Sequence, residues 1–120
     1  ARRRLQGLAH VDVQQAWLPQ QWPERKFDLV VFSELGFYFD APQLDTLIGC
    51  IRSSLREGAT VLACHWRHPV VDCELDGDAV HRRLQAGLDM PRLCAVQEED
   101  FRLTVWCQDS RSVARREGFV

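Results

Sequence analysis

An α/β fold built on parallel strands is predicted by three features of the chain. The run from Lys26 to Phe39 contains four successive apolar residues, Leu29 to Phe32, and then empties into Ser33, Glu34 and the aromatic set Phe37, Tyr38 and Phe39. A strand with no polar face is expected to be covered on both sides, as parallel strands are. Behind it, Leu44, Leu47, Ile48, Ile51 and Leu55 recur at spacings of three and four, with Asp40 and Pro42 placed as cap and first turn. Gly58 is expected to end that helix. Ala59 to Cys64 then forms a second apolar strand. Strand, helix and strand make one right-handed crossover with both strands pointing the same way.

The flanking elements follow from local chemistry. Ala1 to Leu5 reads as the tail of a helix with no capping residue before it, so the chain is expected to begin in mid-fold. His10 to Gln14 fits a short strand, and Trp17-Leu18-Pro19 with Trp22-Pro23 fits a proline-punctuated loop. Asp78 to Asp89 carries Val80, Leu84 and Leu88 four apart, a second and weaker helix. Leu93 to Gln97, the acidic turn Glu98-Glu99-Asp100 and Phe101 to Gln108 predict an antiparallel hairpin. In its second arm Phe101, Leu103, Val105 and Cys107 alternate with Arg102, Thr104, Trp106 and Gln108, which predicts one buried face. A terminal helix is expected from Ser110 onward. No repeat or linker divides the chain, so residues 1–120 are expected to form a single domain.

Composition narrows the function classes. With 120 residues, 46% hydrophobic and a formal charge of −2, the chain reads as a small globular domain that can bury a modest core. No apolar stretch approaches the roughly 18 residues of a membrane helix. A cytoplasmic setting without membrane contact is expected. Cys50, Cys64, Cys73, Cys94 and Cys107 are odd in number and never spaced as CxxC, which predicts reduced thiols. Near-balanced charge argues against nucleic acid, and Arg2-Arg3-Arg4 reads as a solvated helix end. Cys64, His65, His68 and Cys73 offer zinc-type ligands, but neighbouring strand residues point to opposite faces, so no metal is expected.

The order of these elements resembles the second half of a class I S-adenosylmethionine-dependent methyltransferase over residues 5–108. FDLVVFSELGFYF is similar to that family's fourth strand and following loop, Leu55-Arg56-Glu57-Gly58 to its L-x-P-G-G turn, and ATVLACHW to its fifth strand. ACHWRHP followed by LDGDAVH and EDFRLTVW resembles the bacterial NodS-like group, which is similar to nodulation methyltransferases acting on chitooligosaccharide amines. The resemblance implies a partial Rossmann-like sheet closed by an antiparallel hairpin. It also implies S-adenosylmethionine as cofactor and a small acceptor such as an amino sugar. The family's glycine-rich loop and ribose-binding acid are not in these residues. The chain is therefore expected to be a C-terminal portion, inactive alone, with a bare strand edge open to aggregation or to pairing in a homodimer. A non-catalytic pairing or regulatory module that dimerises through that edge is the alternative.

Candidate site residues cluster at the two strand ends. Ser33 stands where family members touch the methionine end of the cofactor, or it caps the strand. Ala16 and Trp17 stand near the family's adenine contact, without its usual acid. Glu34 orients or deprotonates an acceptor, or caps the next helix. His65 is the candidate general base, since a neutral imidazole is available near its ordinary pKa, or it is hydrogen-bonded scaffold. Tyr38 walls an acceptor pocket or packs on a helix, Trp66 stacks on a sugar or packs, and Arg67 holds an anionic group or is solvated. His68 completes the acceptor side, and His81 is expected to face solvent.

Overall fold

The computed structural model describes all 120 residues. A four-residue helix, α1 (Arg2–Leu5), leads into an irregular segment that reaches β1 (Phe27–Ser33). A 3-10 turn (Gly36–Tyr38), α2 (Ala41–Ser53), β2 (Leu55–Trp66), α3 (Gly77–Leu88), β3 (Arg92–Gln97), β4 (Phe101–Cys107) and α4 (Val113–Arg116) follow. The sheet runs β1-β2-β4-β3; β1 and β2 are parallel, while β4 is antiparallel to both β2 and β3. This is the mixed α/β sheet with a closing hairpin that the sequence predicts.

Local chemistry explains each helix. At the start of α2 the Asp40 side chain accepts from the Gln43 N–H while the Gln43 side chain accepts from the Asp40 N–H, a reciprocal cap with Pro42 in the first turn. The Asp76 side chain caps α3 through the Ala79 N–H. Leu44, Leu47, Ile48 and Ile51 of α2 and Val80, Leu84 and Leu88 of α3 are buried against Phe32, Val61, Ala63 and Trp106 of the sheet. Each such side chain contributes about 1.5–3 kcal/mol by leaving water. Gly77 lets α3 start hard against the end of β2, because a Cβ there would lie 2.0 Å from the Trp66 carbonyl oxygen.

Four expectations need correction. Residues 10–14 are irregular and form no strand, since no neighbouring strand offers them a ladder. Helix α2 ends at Ser53, and Gly58, with φ of +76°, lies inside β2; Leu55 already pairs with Phe27, so the chain turns into the sheet before the glycine. The strand β1 is covered on one face only, with Leu29 and Val31 55% and 60% exposed. Both helices pack on the face carrying Phe32 and Val61, and on β4 that face presents Thr104 and Trp106. Of the set Phe101, Leu103, Val105 and Cys107, only Cys107 is buried; the other three belong to the half-exposed face together with Leu62 and Cys64. The alternation was legible, but which phase receives the helices depends on the crossover.

Replacing Leu47 with Ala should cost about 2–5 kcal/mol in urea unfolding, as a cavity in a tight core does. Replacing Asp40 with Ala should cost about 1 kcal/mol. Equal losses at the two positions would contradict the assignment of Leu47 to the core.

Candidate functional site

The parallel register sets the geometry of the strand ends. Ser33 pairs with Cys64, and both strands stop within two or three residues of that pair. One residue further on, Glu34 enters the left-handed region with φ of +52°. Its N–H still donates to the Cys64 carbonyl at 2.9 Å, as a further rung of the ladder. The Glu34 carboxylate then accepts from the Trp66 N–H at 3.1 and 3.2 Å. The side chain thus closes the ladder between two parallel strands while leaving acceptor capacity toward solvent.

Behind this loop lies a chain of hydrogen bonds with a fixed direction. The Gly36 N–H donates to His65 Nε2 at 3.0 Å, so that nitrogen carries no proton and His65 is protonated on Nδ1. His65 Nδ1–H donates to His81 Nε2 at 3.1 Å, which places the proton of His81 on Nδ1, facing Thr104 Oγ1 at 2.9 Å. Both imidazoles are therefore neutral. Burial, reinforced by the neighbouring His81, pushes His65 down to about 3. Burial and the charge of Arg102 bring His81 to about 4, against the opposing influence of Asp78. Phe32 and Phe37 enclose the His65 ring at centroid distances of 5.2 and 5.6 Å. A Cβ on Gly36 would come within 2.4 Å of Val80 Cγ1, so the 3-10 turn sits directly on this buried assembly.

The candidates divide accordingly. Ser33, Glu34, Tyr38, Trp66 and His68 are exposed at one end of the sheet. His65 is fully buried on the helix-covered face, where it holds Gly36 and cannot meet a substrate; the base assignment is corrected to a scaffold role. Arg67 is also committed. Its guanidinium makes two 3.1 Å bonds to Asp78 and one of 2.6 Å to the Glu98 carbonyl, holding the Asp78 carboxyl below the usual carboxylate range. Its N–H donates to the Asp100 carbonyl, so Arg67 ties β2 to α3 and to the hairpin turn and has no fork left for a ligand. His68 pairs with Asp100 at 2.8 Å, and the Trp66 and His68 rings lie 4.8 Å apart. Burial and then the Glu34 charge push the Cys64 thiol up.

Ala16 and Trp17 are not gathered with Ser33. Trp17 is 77% exposed, and its N–H and carbonyl are both bonded to Gln21. The turn that follows, residues 19–26, lies against Thr46, Cys50 and Ser53 in the later part of α2, toward the end of the sheet where β1 begins. His81, expected to face solvent, is instead buried with both ring nitrogens bonded, because it lies on the face of α3 that packs on the sheet, and Thr104 was not foreseen. The helical spacing contained the signal for His81, since His81, Leu84 and Leu88 recur at three and four on the buried face.

No protein-family model and no curated protein matches the chain. Among solved structures, the chain is similar to a candidate methyltransferase from Pseudomonas syringae, with 45% identity over 88% of this chain and 63% of that one and a TM-score of 0.76. It is also similar to the N-methyltransferase NodS from Bradyrhizobium japonicum WM9 in complex with S-adenosyl-L-homocysteine, at 21% identity, 71% and 47% coverage and a TM-score of 0.61. An O-methyltransferase family protein from Burkholderia thailandensis matches at 12% identity, 78% and 33% coverage and a TM-score of 0.59. The latter two show the fold alone. The chain spans less than two thirds of the length of each.

In the unfolded chain both histidines take up protons near pH 6.5, whereas in the folded one they stay neutral until about pH 3 and 4. Stability contributed by the pair is complete above pH 6.5 and declines as pH falls toward those values. Between pH 7 and 5 urea unfolding should lose about 2 kcal/mol per histidine. Imidazole proton resonances of His65 and His81 that titrate near pH 6.5 in the folded protein would overturn the neutral assignment.

Proposed function

We propose that this chain is the acceptor-side, C-terminal half of an S-adenosylmethionine-dependent methyltransferase of the NodS-like group, working in the cytoplasm on the amine or hydroxyl of a small molecule such as an amino sugar. The observation that carries the reading is the sheet itself. Its order β1-β2-β4-β3, with only β4 reversed, occurs together with 45% identity to the Pseudomonas syringae protein across 88% of the chain. The open edge of β1 and the uncovered face bearing Leu29, Val31 and Leu62 are what a further strand and helix layer would complete. We assign that layer to a glycine-rich half that binds most of the cofactor.

The bound cofactor would supply a methyl group on a sulfonium, open to in-line displacement. The residues of this chain fit one side of such a site. The Ser33 hydroxyl is exposed where β1 ends, next to the Glu34 turn, and is the proposed contact of the methionine end, whereas Ala16 and Trp17, not gathered with it, are given no adenine contact. Glu34 is the proposed acceptor-orienting group and proton acceptor, because its carboxylate is anchored on the Trp66 N–H yet exposed. Tyr38 and Trp66 offer a phenol and an indole face to an acceptor, with His68 beside them. An amine acceptor requires little more than alignment and removal of one proton. The same β1 edge pairing two copies is the competing occupant.

Two measurements test this. Calorimetric titration with S-adenosylhomocysteine should show binding when the N-terminal part of the Pseudomonas syringae relative is supplied in trans, and none by the 120-residue chain alone. A homodimer in sedimentation that excludes the added part would reject the half-domain reading. In the completed enzyme Glu34→Gln keeps an acceptor for the Trp66 N–H but loses the charge. It should lower kcat by roughly 10²-fold with cofactor affinity unchanged; unaltered turnover would remove Glu34 from the chemistry.

A further inference from the structure

A second concavity, separate from the strand ends, lies between α3 and the hairpin β3–β4. It encloses about 270 Å³, and its floor is made by His81, Thr104 and Trp106. Arg82, Arg92 and Arg102 stand around it, with Gln85 and Gln97 between them. Three positive charges converge there in a chain whose formal balance is −2. Neither Arg82 nor Arg92 makes an ion pair or a side-chain hydrogen bond, although the bonds from Arg67, with the charges of Arg102 and Arg82, hold the Asp78 carboxyl below the usual carboxylate range. Arg102 lies 3.5 Å from Asp78, but that carboxylate already accepts two bonds from Arg67.

The remaining polar side chains add donors to the three guanidiniums. Gln85 Oε1 accepts from the Trp106 indole N–H at 2.8 Å, and Gln97 Oε1 accepts from Arg102, while the NH₂ group of each amide stays free to donate. Thr104 Oγ1 accepts from His81 and retains its own O–H. His81 has both ring nitrogens engaged. The cleft is rich in donors, and three of its side chains are guanidinium forks, whose geometry matches oxyanions.

We propose that this cleft is a binding site for a small phosphorylated ligand, held by Arg82, Arg92 and Arg102. A phosphate group carries a charge of about −1.5 to −2 near pH 7 and three acceptor oxygens, which suits three cations better than a single carboxylate does. The volume is below that of most drug-sized sites, so the phosphate supplies most of the contact and any attached group projects toward the exposed Ala95–Gln97 stretch. The site stands whether or not the methyl-transfer reading holds, because it uses none of the residues at the strand ends.

The test is a titration of the intact protein with inorganic phosphate, followed by calorimetry and by the imidazole proton resonance of His81, with sodium chloride at equal ionic strength and acetate as controls. Phosphate should bind and shift the His81 resonance, while chloride and acetate should not. The exposed pair Arg82→Ala and Arg92→Ala should each weaken phosphate about tenfold, the loss of one charge-assisted fork, with the melting temperature of the unliganded protein unchanged. A sugar phosphate binding more tightly than phosphate identifies an ester as the ligand, and equal affinity identifies the free ion. A silent His81 resonance, or a double variant that binds phosphate within twofold of the parent, would overturn the site.

Discussion

The parallel ladder between β1 and β2 is the interaction on which the rest of the molecule depends. Because Ser33 sits opposite Cys64, the polar tips of both strands emerge at one end of the sheet. The alternation of side chains along β2 then decides their fates: Cys64 and Trp66 face outward, and His65, between them, faces the helices. A shift of one residue in that ladder would exchange these roles. Glu34 guards the register, since its backbone N–H and its carboxylate both bond to β2 after the strand proper has ended.

The helix-covered face shows how a polar element is tolerated in a small core. Two histidines and a threonine are buried there, and every N–H in the series has an acceptor, from the Gly36 N–H to the His81 Nδ1–H on Thr104 Oγ1. Left unpaired, any of these groups would cost about 1–3 kcal/mol. Satisfied, they link the turn after β1 to β2, α3 and β4 through directional bonds that apolar packing does not provide. Arg67 does the same at the surface, joining the end of β2 to Asp78 and to the hairpin turn. The exposed carboxylate and aromatic side chains at the strand ends therefore stand on a rigid base.

The opposite face has no such partner. Leu29, Val31, Leu62, Leu103 and Val105 form an apolar surface on the sheet with neither helix against it, and β1 ends the sheet with an unpaired edge. Apolar patches of this kind are rare on isolated domains and mark surfaces meant to be covered.

Much of the architecture was legible in the residues. Asp40 and Pro42 announced the start of α2, the spacing of Leu44 to Ile51 its buried face, and the acidic turn before Phe101 the hairpin. Those features are local, set by periods of 3.6 and 2 and by capping chemistry that acts within a few residues. The exposed tips Ser33, Glu34, Tyr38 and Trp66 were likewise readable, because a strand that turns from apolar to polar shows its end. What only the tertiary structure decided was direction and company. Strand alternation says that Cys64 and His65 face opposite ways but not which way meets the helices, so the sequence leaves His65 open between base and scaffold and the packing makes it scaffold. Arg67 reads as a free cation until α3 brings Asp78 beside it, and Arg82, Arg92 and Arg102 come from one helix and two strands whose convergence no spacing records. Such long-range pairings follow from how the elements pack, and a one-dimensional pattern contains their ingredients without their geometry.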